Sequence, residues 1–455
     1  MSAAEAARGP AQSALFTDLY ELTMAAAYVA DGVDGDAEFE VFFRDLGARR
    51  GYVLAAGLET VLEWLRDFRP TPAEIEYLAS LERFDRSFLD WLAAARFSGD
   101  VVAVPEGTAV FPNEPLLRVR APLPIAQLLE TRVLNAVHFE SLITTKAARI
   151  VDAAAGRGVV DFGARRAHGA DAALAAARAA WIGGCGGTSN MVAGQRFGLP
   201  VVGTMAHSYV EAYPDELSAF RAFAAHYPDT TLLVDTYDTP GGVRNVIRLA
   251  RELGERFRIG AIRLDSGDLD ALSRRARGML DEAGLSGVRI IASGGLDEHG
   301  IARLVAAGAP IDGFGVGTDL VISSDVPTLD FAYKLVAYRD EPRLKGSTGK
   351  ATLPGPKQVF RRWQDGSMVG DTIAGARESL AGEPLLQPRM RAGERLAAPE
   401  SLDTVRERAR HQREALPWRL RSPEPGGEPY PVTVSELLDA ERKRLLRRHR
   451  PAPDG

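Results

Sequence analysis

The chain of 455 residues has a single cysteine, Cys185. That excludes an intrachain disulfide and any metal knuckle built on several thiolates. It has few histidines: His138, His168, His207, His226, His299, His411 and His449. No apolar run has the length needed to span a bilayer, and the opening stretch, MSAAEAARGPAQ, lacks the apolar core of a signal peptide. The expectation is a cytoplasmic protein with no membrane partner. Positive charge is not in excess either, with 55 Lys and Arg against 61 Asp and Glu. A net charge of −6 argues against a nucleic-acid partner held by bulk electrostatics. What remains, 45% apolar and 25% charged, is the composition of a soluble enzyme with room for two or three domains.

Residues 13–30 read as a helix with Leu15, Leu19, Leu22 and Ala26 as its buried stripe and Tyr20 beside it. Residues 37–43 alternate like a strand. Thr71-Pro72-Ala73-Glu74 has the form of a capping box, and Asp85 is expected to cap another helix. The stretch 99–121 is strand-like, with Pro and Gly as punctuation. A long helix at 124–155 would bury Ile125, Leu129, Val133 and Val137, with Lys146 and Arg149 near its end. Residues 1–155 are therefore expected to form a smaller, β-rich N-terminal domain.

The pattern then changes. Apolar strands at 158–163, 200–205, 231–236, 259–265, 288–293 and 312–318 alternate with helices at 171–181, 215–226, 241–254, 268–283 and 297–306. This is the spacing of repeated βα units with right-handed crossovers. Six units fall short of the eight of a complete barrel, so the fold class expected for 156–340 is an irregular or incomplete α/β barrel. An open doubly wound sheet is the alternative. Residues 340–357, rich in Gly, Pro and Lys, read as an exposed connection. The remainder of 341–455 reads as a C-terminal helical extension packed partly on the N-terminal domain. Its basic run, 441–450, together with Leu437, Leu438, Leu445 and Leu446, reads as a solvated amphipathic helix rather than a nucleic-acid contact.

Side chains at the C-terminal ends of such strands meet ligands. The first end offers Asp161, Phe162, Arg165 and Arg166. The second lies in GTMAHSYVEAY (203–213), where Thr204, His207 and Ser208 follow an apolar run. The third offers Asp235, Thr236 and Asp238; the fourth, Arg263, Asp265 and Asp268. The last two are the Gly-rich turns Ser293-Gly294-Gly295 and Gly315-Val316-Gly317-Thr318. Backbone N–H groups at such turns seat phosphates, which points to a phosphorylated sugar or nucleotide. Asp268 reads as a helix cap. Asp235 and Asp265 have two open roles, holding a divalent metal carried by phosphates or orienting a histidine. Cys185, in a Gly-rich loop with no base near it in sequence, reads as incidental.

Taken in order, TDLYELTMA, FGARRAHGADAA, GGTSNMVAG, GTMAHSYVEAY, LLVDTYDTPGG, IRLDSGDL, ASGGLDE and GFGVGTDL closely resemble the nicotinate phosphoribosyltransferase family, from about Leu15 to Tyr338. The resemblance implies a type II phosphoribosyltransferase fold. It also implies an activity that joins nicotinate to 5-phosphoribosyl 1-diphosphate, coupled to ATP hydrolysis, in NAD salvage. Mg2+ and a homodimer with sites between subunits come with it. Carried over by motif, His207 is similar to the histidine that ATP phosphorylates, and Asp235 is the candidate carboxylate orienting it. Phe162 and Tyr20 are similar to the pair that sandwiches the pyridine ring, with Tyr20 donated by the other subunit. Thr204 and Arg263 match nicotinate contacts, and Arg165 matches the arginine near the ring and the ribosyl diphosphate. Ser293, Gly294, Gly295, Gly317 and Thr318 match the phosphate turns. Asp265 would approach the ribose or a magnesium ion on the diphosphate. The related nicotinamide enzyme places an aspartate in the loop where this chain has Ser189, so the loop favours the acid. The competing readings are that nicotinamide enzyme, a sugar-phosphate barrel enzyme and a non-catalytic nucleotide-binding scaffold.

Overall fold

The computed structural model describes residues 9–347 and 352–448. Part of the expected 340–357 connection, the end of the basic run 441–450, and His449 lie outside them. The chain divides into two compact units, 143–327 and 1–142 together with 328–455.

Unit 143–327 is built on five short parallel strands: β1 (Gly158–Asp161), β2 (Thr231–Leu233), β3 (Ala261–Leu264), β4 (Arg289–Ala292) and β5 (Gly313–Val316). Their spatial order is β1-β5-β4-β3-β2. The strands read as near-continuous apolar runs because helices cover the sheet. Leu232, Leu233, Ile262, Leu264, Ile290, Ala292, Phe314 and Val316 are all fully buried. Beyond β1 the array continues by two single rungs, since Thr188 bridges in parallel to both Asp161 and Val201. The expected strand at 200–205 is reduced to that one bridge, at Val201. Pro200 has no N–H to donate, and the segment turns out toward solvent, with Val201 at 44% exposure. Among the described residues no ladder joins Val201 to β2. The array is an irregular α/β barrel.

The intervening helices run Ala170–Gly183, Glu216–His226, Thr239–Leu253, Leu269–Glu282 and Glu298–Ala306. Each of the last four begins behind an aspartate that caps it. Asp215, Asp238, Asp268 and Asp297 accept the N–H groups of Ser218, Gly241, Ala271 and Gly300 at 2.9, 2.8, 3.1 and 2.6 Å. One further lock lies inside this unit. Glu298 is fully buried and takes Lys146 Nζ at 2.5 Å and Arg149 Nε at 3.1 Å, with Asp325 at 3.3 Å from Lys146.

The other unit centres on an antiparallel sheet. Asp36–Phe43 is flanked by Phe331–Tyr338 and Leu117–Pro122; Asp100–Ala103 and Gln387–Arg391 follow. The chain after residue 328 thus supplies strands to the same sheet as the N-terminal segment. Thr71 and Glu74 form the expected capping box. Asp85 occupies its cap position without a side-chain cap bond. The helix expected at 13–30 begins at Leu19 and buries Glu21, Leu22 and Ala25, while Leu19 is 45% exposed. The inward face is turned by Glu21, whose carboxylate accepts the Thr17 hydroxyl and the Thr131 N–H. The long helix is two, Leu123–Gln127 and Glu130–Ala153, broken where the Leu128 N–H bonds back to Ile125. The C-terminal segment has the helices Leu402–Glu414, Trp418–Arg421 and Glu436–Arg448. It also carries a sheet of Glu383–Pro384, Lys357–Gln364, Ser367–Gly375 and Val432–Val434 that its Arg-rich sequence did not announce. On the last helix Leu438 and Leu445 are buried and Leu437 is 70% exposed. No helix among the described residues is long and apolar enough to cross a membrane.

Removing one partner from a buried ion pair leaves a charge without compensation. Glu298→Gln is expected to cost about 3 kcal/mol of unfolding free energy, measured by denaturant titration. A loss below about 1 kcal/mol would mean that Asp325 alone holds both cations.

Candidate active site

The parallel array brings its C-terminal strand ends to one edge, and there the predicted residues of unit 143–327 meet. Asp235 follows β2, Asp265 follows β3 and Ser293 follows β4. Asp235 Oδ2 accepts the Asp265 N–H at 2.9 Å and the Ser266 hydroxyl at 2.6 Å. Asp265 Oδ1 accepts the Ser293 hydroxyl at 2.5 Å. Three neighbouring strand ends are thus tied in one line. Asp235 Oδ1 is left buried with no hydrogen-bond partner.

His207 opens a short helix, His207–Glu211. Its Nδ1 lies 3.2 Å from the Thr236 hydroxyl and its Nε2 lies 3.8 Å from Asp265 Oδ2. The ring is partly open to solvent, at 41%. The groups on the imidazole are therefore Thr236 and Asp265. Asp235, the expected orienting carboxylate, spends Oδ2 on Asp265 and Ser266 instead. Thr236 was missed as a partner of His207, because sequence spacing gives no sign of which hydroxyl reaches an imidazole 29 residues away.

Arg263 stands on β3, with one Nη bonded to the Met205 carbonyl at 3.1 Å and its Nε buried without a partner. Burial pushes its guanidinium below the ordinary value; Asp265 and Asp235 pull the other way, and Arg165 adds to the depression. An arginine so placed remains charged and has donors to spare. Thr204 is half-buried, and its hydroxyl is 3.3 Å from the Met205 carbonyl. Arg165 is exposed.

Glycines set the shape of the floor. The Phe162 ring lies so close to Gly315 that a Cβ there would sit 2.4 Å from two ring carbons. At Gly294, φ is +88° and a Cβ would meet the Asp265 carbonyl at 1.9 Å. Gly295 has φ +62° with nothing within 4 Å of an added Cβ. Gly317 carries the chain over Phe162 into the helix Thr318–Val321, with Thr318 exposed. Asp161 is a strut: fully buried, it accepts the Gly163 N–H at 2.8 Å and the Thr188 hydroxyl at 2.7 Å. Burial holds its carboxyl above the usual range. The half-buried Ser189 donates its N–H to the Asp161 carbonyl at 2.8 Å. Tyr20 belongs to the other unit and is 47% exposed.

The site thus joins a solvent-reachable imidazole, two carboxylates, a half-buried guanidinium, a flat aromatic face and a glycine turn. Residues 15–138 match the nicotinate phosphoribosyltransferase (NAPRTase) N-terminal domain, and 143–334 match the quinolinate phosphoribosyl transferase C-terminal domain. The chain is 55% identical over 434 residues to nicotinate phosphoribosyltransferase pncB2 of Mycobacterium tuberculosis, covering 95% of this chain and 94% of the relative. The chain belongs to the nicotinate phosphoribosyltransferase family. A second relative, nicotinate phosphoribosyltransferase of Bacillus subtilis, is 47% identical over 355 residues, covering 76% of this chain and 72% of the relative. The crystal structure of human nicotinic acid phosphoribosyltransferase superposes with a TM-score of 0.83 at 32% identity, over 95% of this chain and 100% of that one. Membership in the nicotinate phosphoribosyltransferase family accounts for the irregular barrel.

Gly294 tests how tightly this edge is set. A misplacement of about 1 Å at a reacting centre costs on the order of 10²-fold. Gly294→Ala would displace Asp265 by more than its contacts absorb, and kcat/KM is expected to fall by about that factor. A melting temperature measured alongside separates this loss from unfolding.

Proposed function

We propose that the chain is an ATP-coupled nicotinate phosphoribosyltransferase that makes nicotinate mononucleotide and diphosphate in NAD salvage. The observation that carries this is His207 held between Thr236 and Asp265 beside Arg263, at the edge where the glycine turn opens. Nicotinate would lie on the Phe162 face, its carboxylate gripped by Arg263 and near Thr204 and Arg165. The pyridine nitrogen forms the bond to C1 of the ribosyl group as the C1–O bond breaks, and the electron pair leaves with diphosphate. The N–H groups of the Gly294-Gly295 and Gly317-Thr318 turns, with the Ser293 hydroxyl's neighbourhood, would hold the phosphates.

His207 would act as a nucleophile toward ATP. A ring nitrogen attacks the γ-phosphorus, the bond to the bridging oxygen breaks, and ADP leaves with the electron pair. Water later hydrolyses the phosphohistidine. A phosphoryl group on His207 adds negative charge beside Asp265, and this changes the affinity of the edge for diphosphate. That is how ATP hydrolysis would be linked to product release.

Among the described residues no group of three or more His, Cys, Asp or Glu side chains could cage a metal ion. The donors do fit an ion that arrives with the diphosphate, which needs only one or two protein carboxylates. Asp235 Oδ1, buried and without a partner, and Asp265 are the residues that would hold Mg2+. Bound there, it would neutralise charge on the departing diphosphate.

Nicotinate is favoured over nicotinamide by the loop at Ser189. No carboxylate stands at that position, and the nearby Asp161 is buried and occupied by Thr188 and Gly163. The exposed Tyr20 would complete the sandwich in a partner copy's site, as part of a homodimer.

Diphosphate release is the first test, with nicotinate, nicotinamide and quinolinate each assayed with and without ATP. Nicotinate with ATP is expected to be fastest; faster turnover of nicotinamide would overturn the reading of Ser189. With γ-labelled ATP, acid-labile label is expected on the wild type and absent from His207→Ala. Label kept by that variant would remove His207 from the phosphoryl step. The shared site is tested by mixing inactive Tyr20→Ala and His207→Ala chains. Random dimers would recover about a quarter of the wild-type sites, because one site of each mixed dimer is intact. A site complete within one chain would recover nothing.

A further inference from the structure

Unit 1–142 with 328–455 contains a cavity of about 650 Å³, within the usual range for small-molecule sites. The proposed reaction makes no use of it. One wall is aromatic. Phe111 and Tyr430 are stacked at 3.7 Å with planes 10° apart, and Phe42 stands beside them in the lining. That wall is fixed from behind by Arg361, which is fully buried. Its guanidinium bonds to both oxygens of Asp371, to Gln412 at 2.7 Å and to the Ala109 carbonyl at 2.7 Å, and it lies 5.7 Å from the Phe111 ring centre. The Tyr430 hydroxyl donates to the same Asp371 at 2.9 Å.

Two arginines also belong to the lining. Arg50 is buried to 3% in the lining and gives one Nη to the Leu142 carbonyl. Arg442 bonds Asp439 through Nη2, and its Nε is buried with no hydrogen-bond partner among the described residues. Lys357, also in the lining, has none to offer, since Glu40, Leu353 and Gly355 take its ammonium. Glycines shape the rim. Gly47 and Gly427 have φ of +67° and +76°. An added Cβ on Gly51 would sit 2.3 Å from the Leu420 carbonyl, so the two walls are locked by backbone contact. The acids of the lining, Asp45 and Glu428, are exposed at the rim. Braced aromatic rings and an arginine whose Nε has no partner among the described residues, in one cavity, suit a flat ring carrying an anionic group.

We propose that this cavity is a second ligand site, separate from the strand-end site, that binds a nucleotide: a heteroaromatic base on the Tyr430 and Phe42 side of the braced aromatic wall and phosphate toward Arg442. The site does not depend on the catalytic reading, and its test reads binding rather than turnover. Calorimetric titration of the full chain with nicotinate mononucleotide, and separately with AMP, is done with the strand-end site saturated by 5-phosphoribosyl 1-diphosphate. At least one of the two is expected to bind at about one per chain. Arg442→Ala is expected to weaken it at least about tenfold, the loss of one charge-assisted hydrogen bond. Ala48→Trp, which adds bulk at an exposed lining position, is expected to abolish it. Turnover without added nucleotide should stay at the wild-type level in both, showing that the fold is intact. Absence of binding by either nucleotide to the wild type, or binding unchanged in both variants, overturns the proposal.

Discussion

The site depends on one line of hydrogen bonds, from Asp235 to the Asp265 N–H and from Asp265 to Ser293. Parallel strands give their neighbours no contact beyond the last ladder rung, so their C-terminal ends would otherwise diverge as loops. Two carboxylates here extend the registration of β2, β3 and β4 past the sheet by side-chain bonding. The cost is two negative charges brought close at a half-buried edge, and Arg263 on β3 offsets it. Its guanidinium is held below its ordinary value by burial while both carboxylates draw it up.

Backbone proximity does the rest. Gly294 and Gly315 are positions where a side chain would collide with a candidate site residue, the Asp265 carbonyl in one case and the Phe162 ring in the other. The absence of a Cβ lets β4 and β5 press their turns against the residues that follow β3 and β1. The helix after the Gly294 turn is anchored at its first turn by Glu298 in the buried pair of cations Lys146 and Arg149. The anchor fixes the direction of the N–H groups in the turn before it.

Much of this was legible in the sequence, for physical reasons. The five strands and the five helices between them could be read because buried parallel strands are short apolar runs, and because Asp215, Asp238, Asp268 and Asp297 mark helix starts by their chemistry. The strand-end residues followed from topology. What could not be read were choices made by tertiary contact. Sequence spacing favours a buried Leu19, yet Glu21 turns that face outward by bonding Thr17 and Thr131. Pro200 reduced an apparent strand to one rung. The C-terminal sheet was hidden because Lys357–Gln364 carries buried cations: Lys357 and Arg361 sit inside on Glu40 and Asp371. A charged strand reads as a surface helix until its partners are known.

The same limit applies to His207. Its position after an apolar run was visible, but its partners were not. Asp235 was the nearer carboxylate by sequence and by motif, and the fold gives it to Asp265 and Ser266. The distribution has a geometric consequence. With Asp265 Oδ2 at 3.8 Å, beyond hydrogen-bond range, the Thr236 hydroxyl on Nδ1 is the group within bonding distance of the ring. Asp235 contributes indirectly, by fixing the backbone of the residue that keeps this distance.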